Sequence, residues 1–267
     1  MKDDTSLLSA ENLSACWDKT EVIHAVNTSF SEGEFICVLG PNGSGKSTFL
    51  TLLSGLTLPS LKITEGTCRL NGTETEAFSS RERAGFITLL PQNESYTWNY
   101  SVLEAVRMGR YAQSNGLLSY SEEDNRAAQE ALEMAEIAHL ADRHIFELSG
   151  GELQSVLIAR SLAQNTPAMI LDEPFTFLDA GKSDRLLHLL YDISRKQNKC
   201  IIISMHDINS APRFAERILL FSKGSLLADG KVSTVFTAEN MEKAYGTPFS
   251  LYTHPVYGIP QVCPVER

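Results

Sequence analysis

Short continuous apolar runs, separated by turn residues, set the rhythm of this chain. Glu34-Phe35-Ile36-Cys37-Val38-Leu39, Phe86-Ile87-Thr88-Leu89-Leu90, Ala168-Met169-Ile170-Leu171 and Cys200-Ile201-Ile202-Ile203 read as buried strands of the parallel-sheet kind. Elsewhere the period lengthens. Leu186, Leu187, Leu190 and Ile193 line one side of a helix that follows Asp179. Thr48 to Ser54 reads as a helix stopped by Gly55. From Ser101 to about Ala163 the pattern is helical throughout, with the N-cap and acidic first turn Ser121-Glu122-Glu123-Asp124. Ala128, Leu132, Ala135 and Ile137 fall close to one face, and the Met and Leu positions of this stretch are assigned to the core.

Residues 11–38 alternate strand-like segments such as Val22 to Val26 with turns such as Ser31-Glu32-Gly33. Residues 61–72 read as a strand pair closed by Asn71-Gly72. Arg217 to Val232 reads as a hairpin pair turning at Lys223-Gly224 and at Asp229-Gly230. The tail after Tyr245, rich in Pro, Tyr and His, carries little signal. The pattern predicts a parallel α/β core, a small antiparallel sheet beside it and a helical insert near residues 95–163.

Composition narrows the classes. A chain of 267 residues with 43% hydrophobic positions holds one large domain or two small ones with a real core. A formal charge of −10 argues against nucleic-acid binding and against charge-driven attachment to an anionic membrane. The five cysteines are scattered and form no C-x-x-C pair, which excludes a zinc site or disulfide framework and suits a reducing, cytosolic setting. The polar start Met1-Lys2-Asp3-Asp4-Thr5 leads into no signal-peptide core. The longest apolar runs are too short to span a bilayer, so any membrane role is expected to come through a partner chain.

Chemistry enters at Gly40-Pro41-Asn42-Gly43-Ser44-Gly45-Lys46-Ser47-Thr48, which fits G-x-x-x-x-G-K-[S/T] between a strand and a helix. Side chains at Gly40, Gly43 and Gly45 would block backbone N–H groups from wrapping a polyphosphate. The helix starting near Lys46 adds free N–H donors and a positive dipole end. Lys46 supplies charge for the outer phosphates, and Ser47 a hydroxyl for Mg²⁺. The fixed positions alone arise by accident in about one chain in a hundred of this length.

The run Ala168 to Leu171 ends in Asp172-Glu173, at the strand end where open α/β sheets bind ligands. Asp172 is placed to hold Mg²⁺ through its water shell, and Glu173 to take a proton from attacking water. Leu148-Ser149-Gly150-Gly151-Glu152 starts a second helix at a glycine pair, a second anion site on one chain.

With this last motif, residues 7–235 resemble the ATP-binding cassette family, whose signature is L-S-G-G-Q or a close variant. The resemblance implies a P-loop NTPase core with an antiparallel β subdomain and a signature-bearing helical subdomain. The expected bounds are one cassette over 1–267, with its core at about 1–94 and 164–235, helices at about 95–163 and a tail at about 236–267. It implies head-to-tail pairing of two copies, each closing Ser149, Gly150 and Gly151 over the ATP held by the other's phosphate loop. Gln92 corresponds to the glutamine that touches Mg²⁺ and senses the membrane partner, and His206 to the histidine that contacts the γ-phosphate and positions Glu173. Asp179 corresponds to the interface aspartate of the D-loop, and Trp17 to the aromatic that stacks on adenine. Glu152, Ser155 and Phe177 depart from common residues without removing a catalytic group.

The stretch Tyr100 to Tyr111 and Leu140-Ala141-Asp142-Arg143 are similar to the ATPases of iron-siderophore, haem and vitamin B12 importers. That implies a peripheral ATPase on the cytoplasmic face of the inner or plasma membrane, working with an integral permease and an extracytoplasmic substrate-binding protein. A non-transport cassette of the iron–sulfur assembly type, or a cassette serving another substrate, is the alternative.

Overall fold

The computed structural model describes residues 6–92, 94, 96–114 and 120–265. Leu117 and Leu118, expected in the core, and Met1 to Thr5 lie outside the described residues. The chain opens with a hairpin, β1 (Leu8–Trp17) and β2 (Thr20–Phe30), followed by β3 (Phe35–Leu39) and α1 (Lys46–Leu53). Next come β4 (Leu61–Leu70), β5 (Thr73–Glu74), α2 (Ser80–Ala84) and β6 (Ile87–Leu90). Three helices then run before the sheet resumes: α3 (Val102–Arg107), α4 (Glu122–Met134) and α5 (Gly150–Gln164). β7 (Ala168–Asp172), α6 (Ala180–Gln197), β8 (Cys200–Ser204) and α7 (Ala211–Phe214) complete the crossovers. The hairpin β9 (Arg217–Ser222) and β10 (Ser225–Lys231), α8 (Val232–Val235), α9 (Ala238–Tyr245) and the hairpin β11 (Phe249–Thr253) and β12 (Pro260–Pro264) close the chain.

The central sheet has the order β10-β9-β3-β8-β7-β6. It is parallel except for β10, with Phe35 opposite Ile201, Ala168 opposite Cys200 and Ile87 opposite Ala168. Its continuous apolar runs follow from burial on both faces. Cys37, Leu39, Met169, Leu171, Ile201 and Ile203 pack into one core with the helices. The alternate residues Ile36, Val38, Ala168, Ile170 and Ile202 pack into the other, with α1 and the antiparallel sheet β2-β1-β4-β5. The expected faces of α4 and α6 are both buried in the helix-side core. Ser101, Ser121 and Ser149 each start a helix with a full capping box, closed by Glu104, Asp124 and Glu152.

Four expectations need correction. Residues 61–70 form one strand rather than a pair, and the Asn71-Gly72 turn leads only to the short β5. Asp229-Gly230 is no turn. It lies inside β10, opposite Leu219 and Ile218, where Arg217 holds the Asp229 carboxylate at 2.6 Å. Helix is not continuous from 101 to 163, because 3₁₀ turns at Met108–Ala112 and Ala138–Leu140 break it, and Met134 is exposed rather than core. The tail forms α9 and a hairpin, with Met241 and Val262 buried in the helix-side core.

A buried lysine marks the opposite end of the sheet from the strand ends that bind ligands. Lys199 precedes β8, and its Nζ donates to Asn165 Oδ1. Burial pulls its pKa down from 10.5 to about 8. A depressed lysine pKa means the unfolded chain binds the proton more tightly, so stability rises with pH between about 8 and 10.5, and the full penalty applies below 8. Lys199→Met is expected to raise the melting temperature by about 3 °C at pH 7. It should also flatten the rise across that pH window. Thermal melts from pH 7 to 10.5 check both.

Candidate active site

The phosphate-loop geometry follows from where β3 ends. Gly40 leaves Leu39 with φ +147°, and a Cβ there would lie 2.3 Å from the Phe221 carbonyl oxygen of β9. No other residue passes that point. Ser44 N–H donates to Pro41 O at 3.1 Å, which folds the loop back toward α1. The first-turn N–H groups of α1 have no intrahelical acceptors and directly follow the loop. Lys46 Nζ lies inside the loop and donates to Gly40 O (2.8 Å) and Pro41 O (3.2 Å). Burial lowers the Lys46 pKa, opposed by the carboxylates of Glu173 and Asp172.

A cavity of about 410 Å³ opens above this loop, lined by Asn42 to Thr48 together with Gln92, Glu173 and His206. The residues fit a polyphosphate. The Ser44 hydroxyl is buried without a hydrogen-bond partner among the described residues, beside the helix N-terminus. Gly43 and Gly45 keep their backbones bare with φ +75° and +101°. The oxygens of Ser47, Gln92 and Asp172 are hard donors of the kind a magnesium ion takes. Among the described residues no group of three His, Cys, Asp or Glu could hold a metal. Magnesium bound through one carboxylate and substrate phosphates does not need one.

Asp172 ends β7 and is buried. Ser204, at the end of the neighbouring β8, donates its hydroxyl to Asp172 Oδ1 (2.5 Å) and accepts Glu173 N–H (2.8 Å). That clamp holds Glu173 in the left-handed region, φ +50°, a strained conformation of the kind concentrated at functional sites. It also aims the Glu173 carboxylate at the cavity. Gln92 Nε2 donates to Glu173 Oε2 at 2.5 Å, and His206 Nε2 lies 2.6 Å from the same oxygen. The strand order β8-β7-β6 explains the meeting. Gln92 and His206 each follow a strand adjacent to β7, so three neighbouring strand ends deliver three side chains to one point.

Ser204 was not singled out in the sequence, although it directly follows an apolar run, as Asp172 does. Ser204→Ala is expected to lower the ATP turnover number about tenfold by releasing both bonds, with little change in ATP affinity. Steady-state kinetics check the split. His24, Glu21 and Lys223 also line the cavity without having been predicted.

The remaining predicted residues lie elsewhere. Trp17 is half-buried and does not line the cavity; its Nε1 donates at 3.2 Å to Oγ1 of Thr48, which does. Ser149, Gly150 and Gly151 are also absent from the lining. The Ser149 hydroxyl donates to Glu152 Oε2 (2.7 Å) and, with the Ser149 N–H, holds the Glu152 carboxyl below its usual range. Arg143 lies 3.4 Å from the other Glu152 oxygen. Phe177, φ +76° and largely exposed, packs over this glycine pair. Asp179 caps α6 through Lys182 N–H (2.9 Å) and is exposed.

The ABC transporter family model matches residues 23–176. The ferric enterobactin transport ATP-binding protein FepC of Escherichia coli (strain K12) is 35% identical over 100% of this chain and 97% of its own. The hemin import ATP-binding protein HmuV of Gloeobacter violaceus is 36% identical over 91% of this chain and 89% of its own. Among solved structures, an inward-facing ABC transporter assigned to the metal-chelate type superposes with a TM-score of 0.82 and 29% identity, covering 98% of this chain and 99% of that one. The cassette MJ0796 in a post-hydrolysis dimer with ADP and Pi gives a TM-score of 0.76 at 29% identity, covering 84% of this chain and 98% of that one. Loop, strand-end carboxylates and relatives agree: this chain belongs to the ABC transporter family, as one of its ATP-hydrolysing cassettes.

Proposed function

We propose that this cassette powers uptake of an iron chelate, a siderophore or haem, or of a cobalamin-like compound, through a separate permease. The observation that carries the mechanism is the meeting of Gln92 and His206 on one oxygen of Glu173, beside a phosphate loop from which the signature serine of the same chain is absent. A site built that way has its base in place and lacks its lid, which a second copy supplies head to tail. The MJ0796 cassette, dimeric in solved structures, supports the pairing.

Each residue then has a task. Asn42, Gly43, Gly45 and Thr48 wrap the phosphates with backbone N–H groups and Ser44 adds its hydroxyl, while Gly40 and Pro41 shape the loop's entry and hold the Lys46 ammonium through their carbonyls. Lys46 places its charge against the outer phosphates, and Trp17 offers its ring face to the base at the Thr48 side. Ser47, Gln92 and Asp172 would hold Mg²⁺, which neutralises charge on the phosphate oxygens when bound. Glu173 orients a water and takes its proton as the water oxygen attacks the γ-phosphorus and ADP leaves. His206 fixes the Glu173 carboxylate and reaches the γ-phosphate. Ser149, Gly150 and Gly151 close the site from the partner copy, with Asp179 at the interface between copies.

Among the described residues no helix is long and apolar enough to cross a membrane, which supports a separate integral permease as the route. The cassette would sit on the cytoplasmic face of the inner or plasma membrane. An extracytoplasmic binding protein would deliver the compound. The names of the relatives, ferric enterobactin for one and hemin for the other, support this substrate class. Deleting the chain's coding sequence is expected to abolish uptake of labelled ferric siderophore, haemin or cobalamin by the source cells. Unchanged uptake of all three would overturn the proposal, and a simultaneous loss of iron–sulfur enzyme activity would favour the assembly-type alternative.

A further inference from the structure

The C-terminal segment is fastened to both loops that meet at the candidate active site. Its first fastening is at the phosphate loop. α9 ends at Tyr245, and the Tyr245 hydroxyl accepts the Gly40 N–H at 3.1 Å. The opposite side of the same residue is held as well, since Gly40 O takes the Lys46 ammonium at 2.8 Å. β9 blocks Gly40 from behind. The entry of the loop is therefore fixed at three points, and one of them comes from a residue 205 positions away. Tyr245 is itself braced. Its ring meets Phe249 edge-on at 5.8 Å, and Ala244 beside it packs in the core. Burial pushes the phenol up to about 12, so the hydroxyl stays neutral.

The second fastening is at the loop carrying His206. Asn209 lies three residues beyond His206. Its side-chain amide donates to Val262 O (3.1 Å) and accepts Val262 N–H (2.9 Å), while Asn209 O accepts Gln261 Nε2 (2.8 Å). Gln261 and Val262 are buried and Asn209 is half-buried, so these bonds are partly withdrawn from water. The Asn209 N–H donates to Asp207 Oδ1 at 3.0 Å, which ties the fastening back to the residue next to His206.

We propose that residues 238–264 form a strap that fixes the phosphate loop relative to the His206 loop, with Tyr245 and Asn209 as its positioning residues. The proposal rests on the reading of the Lys46 loop as the nucleotide site and of Glu173 as the base. Each fastening acts on a different step. Tyr245 sets the loop that cradles phosphate, so it governs binding. Asn209 sets the loop whose histidine contacts Glu173, so it governs turnover.

The test is steady-state ATPase kinetics and ATP titration on the full chain with its permease. Tyr245→Phe keeps the ring against Phe249 and removes only the acceptor. It is expected to raise the KM for ATP about 3- to 10-fold with kcat within about twofold. Asn209→Ala is expected to lower kcat about tenfold with KM within about twofold. Asn209→Asp, which keeps the acceptor for Val262 N–H, should recover part of that loss, and it serves in place of the alanine variant if that one does not fold. Lys46→Ala is the control for the underlying site. If it still binds ATP normally, the nucleotide site has been misassigned. If it loses ATP while Tyr245→Phe and the Asn209 variants keep wild-type KM and kcat, the strap is refuted. Equal changes in KM and kcat in both variants, tracking a lowered melting temperature, would refute it too.

Discussion

Glu173→Gln is expected to stop ATP turnover while leaving ATP binding intact. Glu173 is buried, and its Oε2 receives Gln92 Nε2 at 2.5 Å and faces His206 Nε2 at 2.6 Å. Glutamine has the same shape, and its amide oxygen still accepts from Gln92. What it lacks is the capacity to accept a proton from water. Loss of a positioned general base costs about 10²- to 10⁴-fold in rate. Removing one negative charge beside the phosphates gives no reason for weaker binding, so ATP affinity should be equal or tighter. Turnover assays paired with ATP titration decide it. Turnover within about tenfold of wild type would remove Glu173 from the role of base.

Lys46→Ala is expected to weaken ATP binding by about 100-fold. The ammonium lies buried inside the loop, with Gly40 O, Pro41 O and the carboxylates of Glu173 and Asp172 around it. Without it those carboxylates and carbonyls face a polyanion with no compensating charge, and charge-assisted bonds to the outer phosphates are lost. The fold has little reason to fail, since burying the charge works against its protonation. Calorimetric titration with ATP measures the loss. Affinity within about threefold of wild type would place the triphosphate elsewhere.

The parts of the site that the sequence exposed are those built by neighbours in the chain. The phosphate loop is one uninterrupted strand, glycine turn and helix, so spacing alone reveals it. The N-cap at Ser121 is a local pattern of the same kind, and the structure adds capping boxes there and at Ser149. Gln92, Glu173 and His206 lie far apart in sequence. Their meeting depends on the order β8-β7-β6, which periodicity does not give; the family resemblance supplied their roles but no strand order.

Long-range contacts hid the rest. Asp229-Gly230 has the residues of a turn, but pairing with Leu219 and Ile218 and the Arg217 ion pair keep it in a strand. Lys223-Gly224 turns as its residues suggest, with φ +48° and +78°. The tail carries little sequence signal, and the bonds that fasten its hairpin to the rest of the fold run to Asn209, more than fifty residues earlier. The resemblance placed Trp17 on the adenine, and only the structure shows that its indole bonds Thr48, a lining residue, while Trp17 itself stays out of the cavity lining.

Completion of each ATP site by a second copy is tested most directly by mixing two dead variants. Lys46→Ala retains the signature loop and Ser149→Arg retains the phosphate loop, and each alone should be inactive with the permease. A mixed pair contains one intact site, formed from Lys46 of one copy and Ser149 of the other, so mixing should restore ATPase activity. A mixture as inactive as its components would contradict a site shared between copies.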